Sequence, residues 1–554
     1  MEKARTIISN IIESVRYTAY KSGSIFVFLY ITIMAVIFPF YLTDGYRNAG
    51  TDKSMLFRYV GIGFVLAMLV CTLIYALCSL IYYLCLVKKS EKENALQKIC
   101  LSDKLIFMFG LLTIVSFLCS NNKQDAFWGS EGWYMGLAAQ MTFIMSYFFI
   151  SRFLICKNLM LVLFVFSTFV TFIWGTLNRF SVYPITFDAS SPSFIATLGN
   201  INWYCGYWSV FFPVAVGLFY ISIVRGNDLR WKNVISRLGT GLYLAVATAA
   251  GAVQGSDSAI LVFVTVMLVL YCVSARDKYH RKAFYITVMV MCAVCQILRL
   301  IRDIFPKAMN YDSVSADILT GGNLTAILFL VMLWQVTDEK LIDKLSERYL
   351  RLERTIVMVI ILAALLVLVG LITINTINPG SIGALSDNPI FTFNSKWGSS
   401  RGATWTAGIK VFVDNSVFEK LIGLGPDSFD YGVYREGSSA ADMVIGMFGD
   451  SRLTNAHGEW ITVLVNTGLL GLITYVGMFM TKTVRYITNG MNKDAPLPIA
   501  FVCGLALVGY MSNNIFSFQQ VLNGPFVYIM MGIGEAVIRE SGADKREIYE
   551  DSNL

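Results

Sequence analysis

Apolar runs of about 16–29 residues recur along nearly the whole chain, separated by short polar connections. A bilayer core takes roughly 20 helical residues to cross, so these runs read as membrane-spanning helices. Fourteen are predicted, near residues 24–42, 59–87, 103–120, 133–151, 158–176, 203–224, 239–254, 258–274, 283–299, 318–336, 356–376, 457–480, 496–512 and 521–538. The seventh and eighth are divided only by Gly255-Ser256-Asp257-Ser258, read as a tight turn. The pattern predicts an all-α, polytopic integral membrane protein with one large extracytoplasmic loop between helices 11 and 12. The chain then divides into helices 1–11 over 1–376, a loop domain over 377–455, and helices 12–14 with a tail over 456–554.

Charge orients this pattern. Of the 44 Lys and Arg residues, 30 fall in one alternate set of connections (1–22, 88–104, 152–157, 225–237, 276–282, 340–354, 482–493 and 539–554) and 14 in the other. Positive residues are retained on the cytoplasmic side. Both termini are therefore expected inside, with the 377–455 loop and the Gly255 turn outside. The net charge of +7 is mostly a topology signal, with anionic lipid contact a lesser possibility, and is no evidence for nucleic-acid binding. Residues 1–22 are too polar for a signal h-region, so the first apolar run reads as a retained anchor.

Composition agrees: 56% of residues are apolar and only 15% charged, outside the range of ordinary soluble proteins. The eleven cysteines are scattered without disulfide or metal spacing and read as small helix fillers. Ionisable side chains within the spans are scarce, which counts against an ion-coupled pump.

The outer connections are rich in Trp, Tyr, Gly and Asn: FWGSEGWYMG (127–136), FIATLGNINWYCGYW (194–208) and NNIFSFQQVLNGP (513–525). An interfacial aromatic belt explains much of this. The functional alternative is a sugar-facing floor, in which rings such as Trp128 cover sugar faces and Asn200 and Asn202 bond hydroxyls.

The 79-residue connection 377–455 is longer than packing requires. Within it, ATWTAGIKVFV reads as an amphipathic helix with Trp405, Ile409 and Phe412 near one face, capped by Ser399 or Ser400. Arg401 at its start can grip a phosphate, or it can simply support the loop. Gly423-Leu424-Gly425-Pro426-Asp427 is a turn and no dinucleotide fingerprint, since there is no βαβ context. The loop holds eight acidic and six basic residues, so a polyanion site there needs a few local arginines, Arg435 and Arg452 being the other candidates. His457 opens the twelfth span. Its imidazole suits a general base near neutral pH, against the plainer reading of an interfacial histidine bonded to backbone. Glu459 lies roughly 200° around a helix from it and is not its natural orienter.

SSRGATWTAGIKVF…LIGLGPDSF followed by NAHGEWITVLVNTGLLGL resembles the shared domain of the O-antigen ligases and related polysaccharide polymerases. The close match covers about 80 residues. The resemblance implies a metal-independent glycosyltransferase without cofactors in the cytoplasmic membrane of a bacterium. Its donor is a glycan on undecaprenyl pyrophosphate, and its acceptor a glycan or lipid-glycan hydroxyl on the outer face. Membrane lipids are its surroundings. The resemblance assigns His457 the base role and Arg401 a pyrophosphate contact, with Trp405, Asp427, Arg435, Arg452 and Asn455 as substrate-binding candidates. One departure stands out: Asp257 occupies the position where the family commonly has an arginine. A second phosphate-gripping arginine is then missing or supplied by Arg299, Arg302 or Arg452; alternatively Asp257 binds sugar or a cation. A polymerase joining lipid-linked repeats is the nearest alternative, a flippase for lipid-linked glycans the alternative of another class, and a non-catalytic scaffold a weaker one.

Overall fold

The computed structural model is all-helical apart from one two-stranded hairpin among the described residues. The structure describes residues 2–85, 100–130, 132–188, 190–191, 193–225, 231–306, 313–338, 344–449 and 451–542. Much of the predicted connections 88–104, 225–237 and 539–554 lies outside the described residues. Among the described residues, nine helices are long and apolar enough to cross a membrane, and the pair Val314–Gly321 and Leu324–Thr337, bent by 47°, is either a broken span or a re-entrant loop. Four of the predicted spans are shorter helices: Leu137–Phe153, Ser258–Ser274, Pro498–Asn513 and Gly524–Glu540, of 17, 17, 16 and 17 residues. At about 1.5 Å per residue they reach some 24–26 Å, short of a bilayer core near 30 Å. Three of them lie in the middle of the molecule, where neighbouring helices cover them instead of lipid.

Burial sorts the helices into centre and rim. In Ile201–Val224, 72% of the apolar window is buried, whereas Glu347–Ile377 buries none of its window. On the first, Tyr207 and Phe211 pack against Phe526 of the last helix, Trp208 and Phe212 against Phe263, and Tyr204 against Phe172. The second is apolar all round; near its start Glu353 accepts from Tyr271 and Arg281 of the bundle, and near its end Asn375 donates to Thr392 of the following segment. A helix exposing Ile360, Leu366 and Val369 has a place only against hydrocarbon.

The first helix shows how a broken end is sealed. Glu2–Thr32 continues into a π-turn at Ile33–Ile37 and a 3-10 turn at Phe38–Phe40. Pro39 cannot donate, so carbonyls are left without helical partners. Lys53, fully buried on helix Ala49–Cys85, donates to the carbonyls of Phe38, Pro39 and Tyr41 at 3.0, 3.1 and 2.9 Å.

Residues 377–455 fold as a small helical cap with its own core. Helices Trp397–Asp414, Val417–Ile422, Phe429–Tyr434 and Ala441–Phe448 bury Val411, Leu424, Phe429, Val433 and Val444 together with Val465 of the next long helix. Two local expectations are corrected. The buried face of Trp397–Asp414 is not the Trp405–Ile409–Phe412 stripe but Ala403, Thr404, Ala407, Gly408 and Val411, with Ile409 exposed. Small residues are needed there because Gly408 lies against Ile461 and Phe429. Nor do Ser399 and Ser400 cap the helix: with Gly398 they turn left-handed, at φ 57, 58 and 70°, immediately before Arg401.

The cap is keyed into helix Glu459–Gly490. That helix breaks at Gly468 (φ 70°), and the carbonyls of Val465 and Asn466 accept from Leu424 and Gly425 at 3.1 and 2.9 Å. The Gly-x-Gly-Pro turn thus supplies hydrogen bonds that a continuous helix would make internally.

Candidate functional site

Three separate stretches converge where the cap meets the bundle. Arg401 comes from the cap, His457 from the residue pair before helix Glu459–Gly490, and the third is the 513–525 connection. Arg401 Nε donates to the carbonyl of Phe516 at 2.9 Å and Nη1 to that of Gly398, also 2.9 Å. Its guanidinium carbon lies 5.7 Å from the centre of the Phe516 ring. Trp405, one helical turn on, stacks on the other side of this small aromatic group: its ring is 5.6 Å from Phe516 and nearly parallel, at 7°. The fork is therefore held in one plane with its remaining N–H groups unused by the described residues.

His457 stands in left-handed backbone, φ 48°, where a non-glycine residue is strained. The Asn455 side chain accepts from the His457 amide at 2.9 Å and holds the turn, and Phe518 meets the imidazole edge-on at 5.3 Å. The Glu459 amide donates to the carbonyl of Asn514, while the Glu459 carboxylate accepts from the Gln519 amide at 2.6 Å. Glu459 thus fastens the 513–525 connection and does not orient the ring. His457 is exposed at the surface. Desolvation by the residues packed around it and then the positive charge of Arg401 hold its pKa below the ordinary histidine value. The ring is neutral at pH 7, as a base must be.

Asp257 belongs to the same electrostatic neighbourhood. Its charge acts on the Arg401 guanidinium against the lowering effect of burial. Asp257 accepts from the Ser315 amide at 3.3 Å. Behind it the expected turn between Trp231–Val253 and Ser258–Ser274 is present, with Gly255 at φ 99°. A side chain there would come within 2.7 Å of the Arg179 guanidinium. Arg179 is buried and donates to the carbonyl of Val253 at 2.8 Å. Sequence reading passed over it because it closes an ordinary apolar helix. Beneath the turn, Ser256 donates to Asn202 at 2.7 Å, Ser258 to Asn513 at 3.0 Å, and Gln254 to Cys205 Sγ at 3.0 Å. The 194–208 and 513–525 connections thus meet beneath the Gly255 turn.

The remaining candidates have other company. Arg435 pairs with Glu419 at 3.2 Å and Asn415 at 2.7 Å within the cap. Arg452 pairs with Asp430 at 2.8 Å, Arg302 with Asp317 at 2.8 Å, and Arg299 with Asn323 at 3.3 Å. Asn200 caps helix Ile201–Val224. Trp128 lies over Arg58, at 3.8 Å, in a cleft of about 720 Å³ with Tyr59 and Tyr134. None of these contacts involves Arg401 or His457.

Asp427 and Asn455 line an internal cavity of about 50 Å³ with Glu459, Trp133, Gln140 and Gln519. This holds a few waters at most, not a sugar ring. Asp427 accepts from the amides of Ser130 and Met135 at 2.8 and 3.0 Å, tying the 127–136 connection to the cap. Burial pushes its pKa up to about 7; like charge from Asp430 and Asp125 adds to this, against the lowering pull of those two amides.

No family model matches this chain, and no curated protein matches it either.

Proposed function

We propose that the protein is a membrane glycosyltransferase of the O-antigen ligase type, moving a glycan from a lipid pyrophosphate to an acceptor hydroxyl. The observation that carries the reading is that Arg401 and His457, 56 residues apart in sequence, both pack on the 513–525 connection, at Phe516 and Phe518, with the charge of Arg401 felt by the imidazole. In this mechanism a ring nitrogen of His457 takes the acceptor hydroxyl proton. The acceptor oxygen bonds the anomeric carbon as the bond from that carbon to the pyrophosphate oxygen breaks. The electron pair leaves with the lipid pyrophosphate, whose charge Arg401 neutralises through its unused N–H groups. Trp405 and Phe516 form an apolar wall suited to a sugar face. Asp257, set where an anion would approach Arg401, contacts sugar hydroxyls rather than phosphate. This site lies on the outer face of the cytoplasmic membrane in this reading, supported by the distribution of Lys and Arg.

The test is transfer by the purified chain from a lipid-pyrophosphate glycan in nanodiscs. His457→Ala is expected to lower the rate by at least about a hundredfold, the usual contribution of a general base. Wild-type turnover in that variant would sink the mechanism. Analysis of the product separates a ligase, which adds one glycan to a different acceptor, from a polymerase, which leaves a ladder of repeats.

A further inference from the structure

We propose that the cap is seated in the membrane surface, with the outer face of its short helix Val417–Ile422 inserted into the lipid. This is independent of the glycan-transfer reading. Val417, Phe418 and Leu421 are 76, 55 and 41% exposed. At 3.6 residues per turn they share one face about 100° wide, and Glu419 lies on the opposite side. The polar groups of this helix are bonded within the cap. The Ser416 amide donates to the Glu419 carboxylate at 2.8 Å, and the Glu419 amide donates to the Ser416 hydroxyl at 3.3 Å. The same carboxylate accepts from Arg435 at 3.2 Å, and the Gly423 amide donates to the Glu419 carbonyl at 2.7 Å. Satisfying these groups internally lowers the cost of placing the helix against lipid.

What covers the exposed face follows from its height on the bundle. Leu421 sits against Gly468, where a side chain would come within 2.4 Å of the Leu421 carbonyl carbon. On helix Glu459–Gly490, every residue from Glu459 to Gly468 is buried or half-buried. Past that joint the exposed residues are Leu469, Leu470, Ile473, Met480 and Val484, an apolar stripe that belongs against hydrocarbon. The short helix therefore stands at the upper edge of the lipid-facing surface and prolongs it. Helix Leu101–Cys119 ends at the same rim. Its exposed Leu111, Ile114 and Leu118 run up to Lys123, which donates to the carbonyls of Phe117 and Leu118. The next residue after that helix, Ser120, lies against Gly425: a side chain on Gly425 would come within 2.6 Å of the Ser120 hydroxyl. Three segments thus bring apolar side chains to one boundary. Lys420 flanks the exposed face, a position from which its ammonium reaches headgroups. A contiguous apolar patch with a polar rim suits a membrane surface, and an interfacial helix enters it by about 5–10 Å. A protein covering this face would have to share it with the lipid that covers Leu469 and Leu470.

The test uses the full chain in phosphatidylcholine nanodiscs, with a single trifluoromethylated phenylalanine in place of Phe418. The same label at Leu470 gives a lipid-facing reference, and at the exposed Glu436 of the cap a water-facing one. Phosphatidylcholine carrying a spin label high on its acyl chain should broaden the Phe418 fluorine signal to loss, as at Leu470. A water-soluble gadolinium chelate should leave it sharp, the reverse of the Glu436 label. A label at Val417 repeats the measurement from the same face, so the test does not depend on one replacement being tolerated. Loss of the signal to the chelate and not to the spin-labelled lipid overturns the proposal, because the face is then in water. Protection from both agents also overturns it, in favour of a second copy or another protein on this face.

Discussion

Gly423 and Gly468 approach so closely that a side chain on either would enter the peptide backbone beside the other. A Cβ on Gly423 would lie 2.3 Å from the carbonyl oxygen of Asn466, and one on Gly468 2.4 Å from the carbonyl carbon of Leu421. Both stand at positive φ, 87 and 70°. Two glycines 45 residues apart are thus one joint between the cap and the long helix. Gly423→Ala and Gly468→Ala are each expected to destabilise the protein by roughly 2 kcal/mol or more, because backbone on both sides has nowhere to move. Leu469→Ala, at an exposed neighbour, should cost far less. Thermal unfolding in detergent compares the three, and parity among them would dissolve the joint.

Burial first and the charge of Arg401 second lower the pKa of His457. If His457 is the base of the proposed transfer, it stays neutral until the pH falls through that lowered value, so the acid limb of kcat/KM should lie below the ordinary histidine range near 6.5. Arg401→Gln removes the nearby positive charge. Besides slowing transfer, it should move the residual acid limb upward, towards 6.5. Arg401→Lys should leave the limb low. A limb that stays put in the glutamine variant would mean that Arg401 does not set the charge of the ring.

Asp427 makes a pH-dependent contribution of the opposite sign. Its folded pKa is raised to about 7, above the unfolded value near 4. Between those values the folded protein holds a proton that the unfolded chain has released, so this group's contribution to stability falls as pH rises from about 4 to about 7. Asp427→Asn, which can still accept from Ser130 and Met135, should remove that slope. Its melting temperature relative to the wild type should therefore be higher at pH 8 than at pH 5. A difference independent of pH would refute the assignment.

Lys53 is a structural cation whose role is capping. Its three carbonyl partners lie where Pro39 and the π-turn end the first helix. Lys53→Met keeps the apolar stem and strands the carbonyls, with an expected loss of about 2–3 kcal/mol. Thermal melts in detergent check this; Lys53→Arg should recover part of the loss.

Much of the bundle was legible because apolar runs need no long-range information: lipid or buried neighbours satisfy them, and the backbone bonds within each helix. The run length could not say which helices face lipid. Pro498–Asn513 and Gly524–Glu540 are as apolar as many crossings, yet they are too short and are covered by protein. Arg401 and His457 stood out as polar residues at unusual places. Their common site did not, since it depends on Phe516 and Phe518 from a third stretch. The Trp405 stripe was misjudged because helical periodicity identifies faces but not which one a neighbour needs. Contact with Ile461 selected the small-residue face.

The sequence by itself determined that the chain is helical and apolar, where each helix lies, and that 377–455 is set apart, because these follow from hydropathy and period along one segment at a time. Tertiary structure decided which charges share a partner. Lys482 meets Asp103 and Glu535, Arg435 goes to Glu419, and Arg452 goes to Asp430. Electrostatic pairing acts through space at a few ångströms, and residues hundreds of positions apart reach that distance only once the helices have packed.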